Sequence, residues 1–227
     1  MVNLPSKASH LGFQEKSNLY LLCQSVLWQH HLVSLHPFCS SVKKGLPMST
    51  HEIDSITSLP IAFEAHWIAD IDSFWVAPDS EELNDLQRDG ATAVIDLAAE
   101  FEAGKSLLNS DLCARVIGRM SDIQVRDFAL GSHNPESSDW YWKMWRELLV
   151  SAPLGYIAPI AAVFAALAYE RGEVALAHRA LDRALADDSH YSLAILLRRV
   201  FSAGWPAESF SAMRRELHPK VVTVIFG

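Results

Sequence analysis

Cysteine is scarce in this chain. The 227 residues hold three, at Cys23, Cys39 and Cys113. So few, in odd number, exclude a disulfide framework, and a reducing, cytoplasmic setting is the expectation. No apolar run reaches the ~20 residues that span a bilayer. The longest, Leu154 to Tyr169, is broken by Gly155 and Pro159 and reads as a buried core helix. Near the N-terminus only Leu19 to Cys23 is apolar, without the long stretch and small-residue cleavage site of a signal peptide. Leu22 is too large for the residue preceding a lipid-modified cysteine. Basic residues are in the minority, 19 Lys and Arg against 27 Asp and Glu, a net charge of −8. That balance argues against a general nucleic-acid binder, which needs clustered cations to meet phosphates. Neither a nucleic-acid nor a membrane partner is expected.

Several chemical signatures are missing as well. No glycine-flanked serine elbow marks a Ser/His/Asp hydrolase. Cys23, His30, His31, His36 and Cys39 are metal-ligand types, but their spacing is irregular and lacks the close pairs of zinc sites. Ala99 to Ser106 satisfies a relaxed phosphate-loop pattern, with Lys105 and Ser106 at its end. Glu100 and Glu102 within it would repel phosphates, and Gly104 is its one glycine, so the stretch reads as a helix stopped by glycine. No catalytic, cofactor-binding or metal-ligating residue is assigned, and no cofactor is expected. Cys113 reads as a small core residue and His178 and His190 as solvated. Arg126 and Asp127 read as a helix-surface ion pair. Trp140, Trp142 and Trp145 read as core. Arg179, Asp182 and Arg183 read as a solvated face.

What is present is helical periodicity. Half the residues are hydrophobic and a fifth are charged, a globular composition. The clearest signal lies between Ala158 and Gly204. It predicts one almost wholly apolar helix from Pro159 to Arg171, and a break at Gly172. A second helix, Glu173 to Asp187, carries Val174, Ala177, Leu181, Ala184 and Leu185 at three- and four-residue spacing. A third starts near Ser192 with Leu193, Leu196, Leu197 and Val200 and stops at Gly204. Upstream, Phe63, Trp67, Ile71 and Phe74 suit a helix ended by Pro78. Asp79 or Ser80 should cap a helix with Glu81 and Glu82 in its first turn, with Gly90 as an interruption. Residues Ala91 to Ala103 continue as helix or, over Thr92 to Leu97, as a short strand. Ser110 caps a helix carrying Leu112, Val116, Ile117 and Met120. Gly131 to Ser138 is a loop, and Asp139 to Val150 is helical with Tyr141, Trp145, Leu148 and Leu149 inward. A last short helix, Ala207 to Leu217, precedes a β-branched tail, Val221 to Phe226, read as a truncated end, an edge-pairing segment or a packed tail.

Residues 1–47 carry Lys7, Lys16, Lys43 and Lys44 against Glu15, a net of +3, so the other 180 residues carry −11. Periodicity and capping are weak there, Ser40 to Pro47 resembles a linker, and Met48 follows at once. The reading is a poorly ordered or spurious extension over 1–47 and a helical domain over 48–227.

Two resemblances follow from these residues. The helix pair around Gly172 resembles a tetratricopeptide hairpin. Ala177, Leu181 and Ala184 fall on the small-large-small positions, and Asp188-Ser189 stands where Asp-Pro is usual. Only one such unit is visible, whereas a solenoid needs three. The segments Gln124-Val-Arg-Asp127, Ala158-Pro159, Tyr169-Glu-Arg-Gly172, Ala180 to Ala186 and Tyr191 to Leu197 resemble, in order and spacing, the C-terminal region of the actinobacterial DUF4192 family. The likeness covers about residues 85–210. The family's N-terminal half is not matched, so the chain resembles a C-terminal portion. The resemblance implies no activity, because the family has none to transfer.

The expected fold is mainly α, with six to eight helices around Pro159–Arg171. The expected function is a non-catalytic interaction or structural module with a protein partner. The alternative is the remnant of a hydrolase or nucleotide-binding enzyme. If 1–47 is an extension, expressing residues 48–227 alone should move the thermal midpoint by less than ~4 °C, since about 1 kcal/mol gives that shift in a domain of this size. A larger drop or an insoluble product would make the extension part of the fold.

Overall fold

The computed structural model describes residues 65–77, 79–105 and 110–227, and the domain they form is all-helical. Nine helices occur among the described residues. They are α1 (Ala65–Ser73), α2 (Leu83–Glu102), α3 (Ser110–Arg119), α4 (Ile123–Gly131), α5 (Ser138–Ser151), α6 (Ile157–Glu170), α7 (Val174–Asp187), α8 (Ser192–Ser202) and α9 (Ala207–Phe226). Residues 1–47, Phe63 and Pro78 lie outside the described residues.

The domain is built around α6. Of its residues from Ile157 to Tyr169 all but Pro159 are buried. A helix apolar on every side must be surrounded, and α4, α5, α7, α8 and α9 all pack on it. Six alanines in α6 and the buried Ala177, Ala180 and Ala184 of α7 keep the side-chain layer thin, so this pair lies close. Phe164 of α6, Leu181 of α7 and Leu196 of α8 are buried in the same core, with Leu185 packed at its edge.

The α6–α7 hairpin is closed at both ends. At one end Gly172 adopts φ +81°, a conformation that favours glycine. Its N–H bonds the Tyr169 carbonyl while the Glu173 N–H bonds that of Ala168, the double closure that ends a helix and turns the chain. At the other end α6 starts without a cap of its own. Asp187, the last residue of α7, supplies it. Its carboxylate accepts from Gly155 N–H at 2.7 Å, Ile157 N–H at 2.9 Å and Ala158 N–H at 3.0 Å. An acidic group is disfavoured at the end of its own helix but favoured at the start of α6.

The earlier helices clamp one another with side chains. Gly90 does not interrupt α2, which runs unbroken. A Cβ there would lie 2.8 Å from Val125 and 2.9 Å from the Arg119 side chain, so glycine lets α3 and α4 cross α2 closely. Asp122 caps α4 by accepting from Gln124 N–H at 2.7 Å and Val125 N–H at 3.1 Å, and it also holds Gln87 of α2 at 3.0 Å. Arg119 binds Asp89 at 2.8 Å and the Phe74 carbonyl at 3.1 Å, and Tyr156 bonds Asp72, which fasten α1.

Several expectations give way to the structure. Residues 92–97 are helix, because Ala93, Val94 and Leu97 face the core at helical spacing. The α2 helix begins at Leu83, with Glu82 at its cap position and no side-chain cap. The Ser80 hydroxyl accepts instead from Glu82 N–H at 3.4 Å. The tail is the second half of α9, which runs through Pro219 to Phe226. Val221 and Ile225, four apart, are buried, and Phe226 meets the Phe128 ring at 5.9 Å. Packing at helical spacing overrides β-branched propensity there. Val174 is 44% exposed, and Leu176 and Ala180 take its place in the α7 stripe.

Replacing Leu181 by alanine should cost ~2–5 kcal/mol in urea unfolding, the range for a large-to-small core change. Asp187→Ala should cost about 1–2 kcal/mol as a lost cap. Unchanged urea midpoints in both would remove the hairpin from the core.

Candidate functional site

The buried charges converge where the ends of α4 and α6 meet the middle of α9. The last residue of the apolar helix α6 is Glu170. Arg214, 3% exposed on α9, reaches it twice, with Nε 2.6 Å from Oε1 and Nη2 3.1 Å from Oε2. The remaining nitrogen, Nη1, donates to the carbonyls of Gly131 at 3.0 Å and His133 at 3.1 Å, just where α4 ends. His133 Nε2 lies 3.2 Å from Glu170 Oε2. Facing a carboxylate, that nitrogen carries the proton. His133 Nδ1 is then an acceptor, buried and without a partner among the described residues.

The electrostatics follow from this packing. Burial pushes the His133 pKa below the usual histidine value; the Glu170 carboxylate opposes that and Arg214 reinforces it. Burial would raise Glu170, but the hydrogen bonds from His133 and Arg214, with the arginine's charge, hold its pKa below the usual carboxylate range. Burial, with Arg214 and His133, also lowers His218. The net arrangement is an ionised Glu170, a cationic Arg214 and neutral imidazoles.

Two cavities adjoin the cluster. A small one of about 10 Å³ lies among Asp127, Gly131, Arg214 and His218, room for one water molecule. A larger open cleft of about 310 Å³ lies between the α4–α5 loop, the end of α6 and the first half of α9. His133, Ser138, Glu170, Arg171, Ser211 and Arg215 are among its lining residues.

The residues singled out from sequence fall elsewhere or change role. Arg126 and Asp127 are not a surface pair. They are 4% and 7% exposed, joined at 2.7 Å, with Arg126 5.9 Å from the centre of the Tyr191 ring. Burial works against the charge on Arg126, but Asp127 and then Tyr191 hold it, and its pKa lies above the usual arginine value. Arg183 is buried rather than solvated, while Arg179 and Asp182 are exposed and Asp182 pairs with Arg198 at 2.5 Å. Cys113 is buried, and burial pushes its thiol up to about 12, which suits a core residue. Trp145 is buried at 0% exposure and Trp140 and Trp142 pack against the core. His190 is exposed, while His178 is partly buried with its ring edge-on to Phe201. Cys23, His30, His31, His36 and Cys39 lie outside the described residues. Among the described residues no group of three His, Cys, Asp or Glu could hold a metal ion. No helix there is long and apolar enough to cross a membrane.

Of the phosphate-loop pattern, Ala99 to Lys105 lies at and just past the end of α2, and Ser106 lies outside the described residues. The N–H groups of Ala103, Gly104 and Lys105 are bonded to the carbonyls of Ala99, Phe101 and Glu100, so they are not turned to an anion. Lys105 pairs with Glu100 at 3.6 Å.

Sequence reading missed His133, Glu170, Arg214 and His218. One signal was available for Glu170, a carboxylate ending thirteen residues that are all apolar or proline. Arg214 has no local signature, since its partners lie 44 to 83 residues away.

Replacing Arg214 by methionine should cost about 3–5 kcal/mol, because Glu170 is left buried and unpaired. Adding Glu170→Leu should restore most of it. Both imidazoles have folded pKa values below 6.5 and Glu170 below 4.5. Their stabilisation is therefore complete above those values and lost as pH falls. The urea midpoint should begin to drop below about pH 6.5 and drop further below about pH 4.5. Glu170→Gln should remove the lower step, and a flat profile from pH 7 to 4 would contradict the cluster.

Comparison with family models matches residues 64–208 to a domain of unknown function, DUF4192. No curated protein matches, and no solved structure matches.

Proposed function

The chain belongs to the DUF4192 family, and on that premise we propose that it is a non-catalytic helical module that binds a protein partner in the cytoplasm. The observation that carries this reading is the commitment of the buried cluster. Arg214 donates four times to groups that end two helices, Glu170 accepts three times, and His133 spends its proton on Glu170. A general base needs a free lone pair in reach of substrate; Glu170 and Arg214 brace the fold instead, and the one lone pair left over, on His133 Nδ1, is buried. The closed hairpin of α6 and α7, with Ala177, Leu181 and Ala184 buried, supports a tetratricopeptide-like packing unit. Net charge supports a protein rather than a nucleic-acid partner. Residues 65–105 hold ten Asp and Glu against two Lys and Arg. Residues 1–47 are proposed as a dispensable extension.

The competing enzyme reading has one observation in its favour, the cleft of about 310 Å³ beside His133, a size within the range of small-molecule sites. The test is a panel of ester, phosphoester and nucleoside triphosphate substrates, run on the parent and His133→Gln. Equal background rates are expected, together with a single crosslinked protein partner when the tagged full chain is treated in its own cells. Turnover that falls about tenfold or more in a folded His133→Gln variant, a barrier change above ~1.4 kcal/mol, overturns the proposal.

A further inference from the structure

Helix α9 is held in two different ways along its length. Its first half is riveted through Arg214 to Glu170 and to the carbonyls of Gly131 and His133. Its end, residues 219–226, has no such tie. Among the described residues no hydrogen bond or ion pair joins that end to another helix, and the Thr223 hydroxyl donates to the Pro219 carbonyl within α9 itself. What holds the end is apolar. Val221 and Ile225 are 5% and 2% exposed, and Phe226 meets the Phe128 ring of α4. Pro219 divides the two halves. It has no N–H, so one bond of the helix ladder is missing where they join.

His218 sits at that joint and faces α4, its ring centre 5.2 Å from that of Phe128. A Cβ on Gly131 would lie 2.2 Å from His218 Nδ1 and 2.8 Å from the His218 Cβ. The second distance means that turning the ring would not relieve the contact, so glycine sets how near α9 lies. His218 Nδ1 is buried and without a partner among the described residues. A neutral ring can keep its proton on Nε2. An imidazolium carries one on both nitrogens, so a charged His218 has a buried Nδ1–H with no acceptor.

The surrounding charges do not rescue it. On α9 the cation of Arg214 is one turn away, and His133 follows the end of α4; both act against a charge on His218. Asp127 of α4 is the one anion lining the small cavity with it, and Arg126 already binds that carboxylate at 3.0 and 2.7 Å. On α6 the one charged residue, Glu170, is spent on Arg214 and His133. Helix α2 also packs on α9, and its buried residues carry no charge.

We propose that the end of α9 is a proton-operated flap: a proton on His218 lifts residues 219–226 off α4, while the riveted half of the helix and the α6–α7 hairpin stay in place. Lifting gives the imidazolium to water and uncovers Phe128. Burial first, then Arg214 and His133, holds the docked ring below the ordinary value of 6.5. The released ring regains that value. The docked form is therefore fully favoured above pH 6.5 and loses ground as pH falls below it. The flap needs neither a protein partner nor turnover, so it stands apart from the reading above.

The test is amide hydrogen exchange on the full chain from about pH 7.5 to about pH 5, each rate corrected for its intrinsic pH dependence. The open fraction at residues 221–225 should rise by up to about tenfold for each pH unit below 6.5, until the docked ring itself takes a proton. Amides of α7 should keep their protection. His218→Asn stays neutral and keeps an acceptor, so it should flatten the response, whereas His133→Gln should retain it. Gly131→Ala should raise exchange at residues 221–225 already at about pH 7.5, because its Cβ has no room. Unchanged protection of residues 221–225 down to about pH 5 overturns the flap, as does opening of α7 in step with it. So does a response that survives His218→Asn or disappears with His133→Gln. A Gly131→Ala variant that exchanges as the parent does overturns the seating of His218 on α4.

Discussion

Arg214 brings a permanent positive charge into the interior, and the arrangement of three helices depends on how that charge is met. Removing a guanidinium from water costs several kcal/mol unless its donors are satisfied. Here Glu170 accepts two donors and the carbonyls of Gly131, the last residue of α4, and of His133 just after it accept from the third nitrogen. The same contacts fix where α4 stops, where α6 stops and how α9 lies across both. A hydrophobic core is tolerant of small displacements because its attraction is not directional. A bidentate ion pair is not. The fold therefore has a soft, alanine-rich centre along α6 and α7 and a rigid polar rivet at one end.

The parts of this architecture visible in sequence are those that local periodicity can express. Helices α6, α7 and α8 were legible because Leu181, Leu196 and their neighbours repeat at three and four residues between glycine stops. The burial of Arg126 and Asp127 was not. Adjacent residues on a helix point in different directions, so a neighbouring acid and base normally signify an exposed pair. Only the Tyr191 ring, 65 positions away, and the surrounding core make the pair internal. Arg183 misled for the same reason, since charge on an amphipathic helix is read as solvent-facing. In α9 the run Val221 to Phe226 has strand-like composition. Its burial pattern at Val221 and Ile225 is helical, and composition alone could not separate the two.

The candidate site was the least legible part. His133, Glu170 and Arg214 come from three separate segments, and no spacing rule links them. Glu170 alone carried a hint, as a charge at the end of an apolar helix. The cleft beside them is a product of tertiary packing, bounded by the start of α5, the end of α6 and the first half of α9. Motif reading looked instead at Lys105 and at the N-terminal histidines and cysteines. Their residue types were suggestive, but Lys105 lies where helix-ending hydrogen bonds use the backbone donors that a phosphate would need.

The capping of α6 by Asp187 bears on the order in which the chain assembles. The contacts that close the hairpin join residues about thirty apart, and Gly172 preforms the turn between them. Arg214 must instead find a carboxylate 44 residues away and a carbonyl 83 residues away. Loop-closure entropy grows with the logarithm of separation, so the hairpin is the cheaper nucleus and α9 is the natural latecomer. Interactions made late govern the rate of unfolding more than that of folding. The hairpin therefore sets how fast this domain is made, and the rivet on α9 sets how long it lasts.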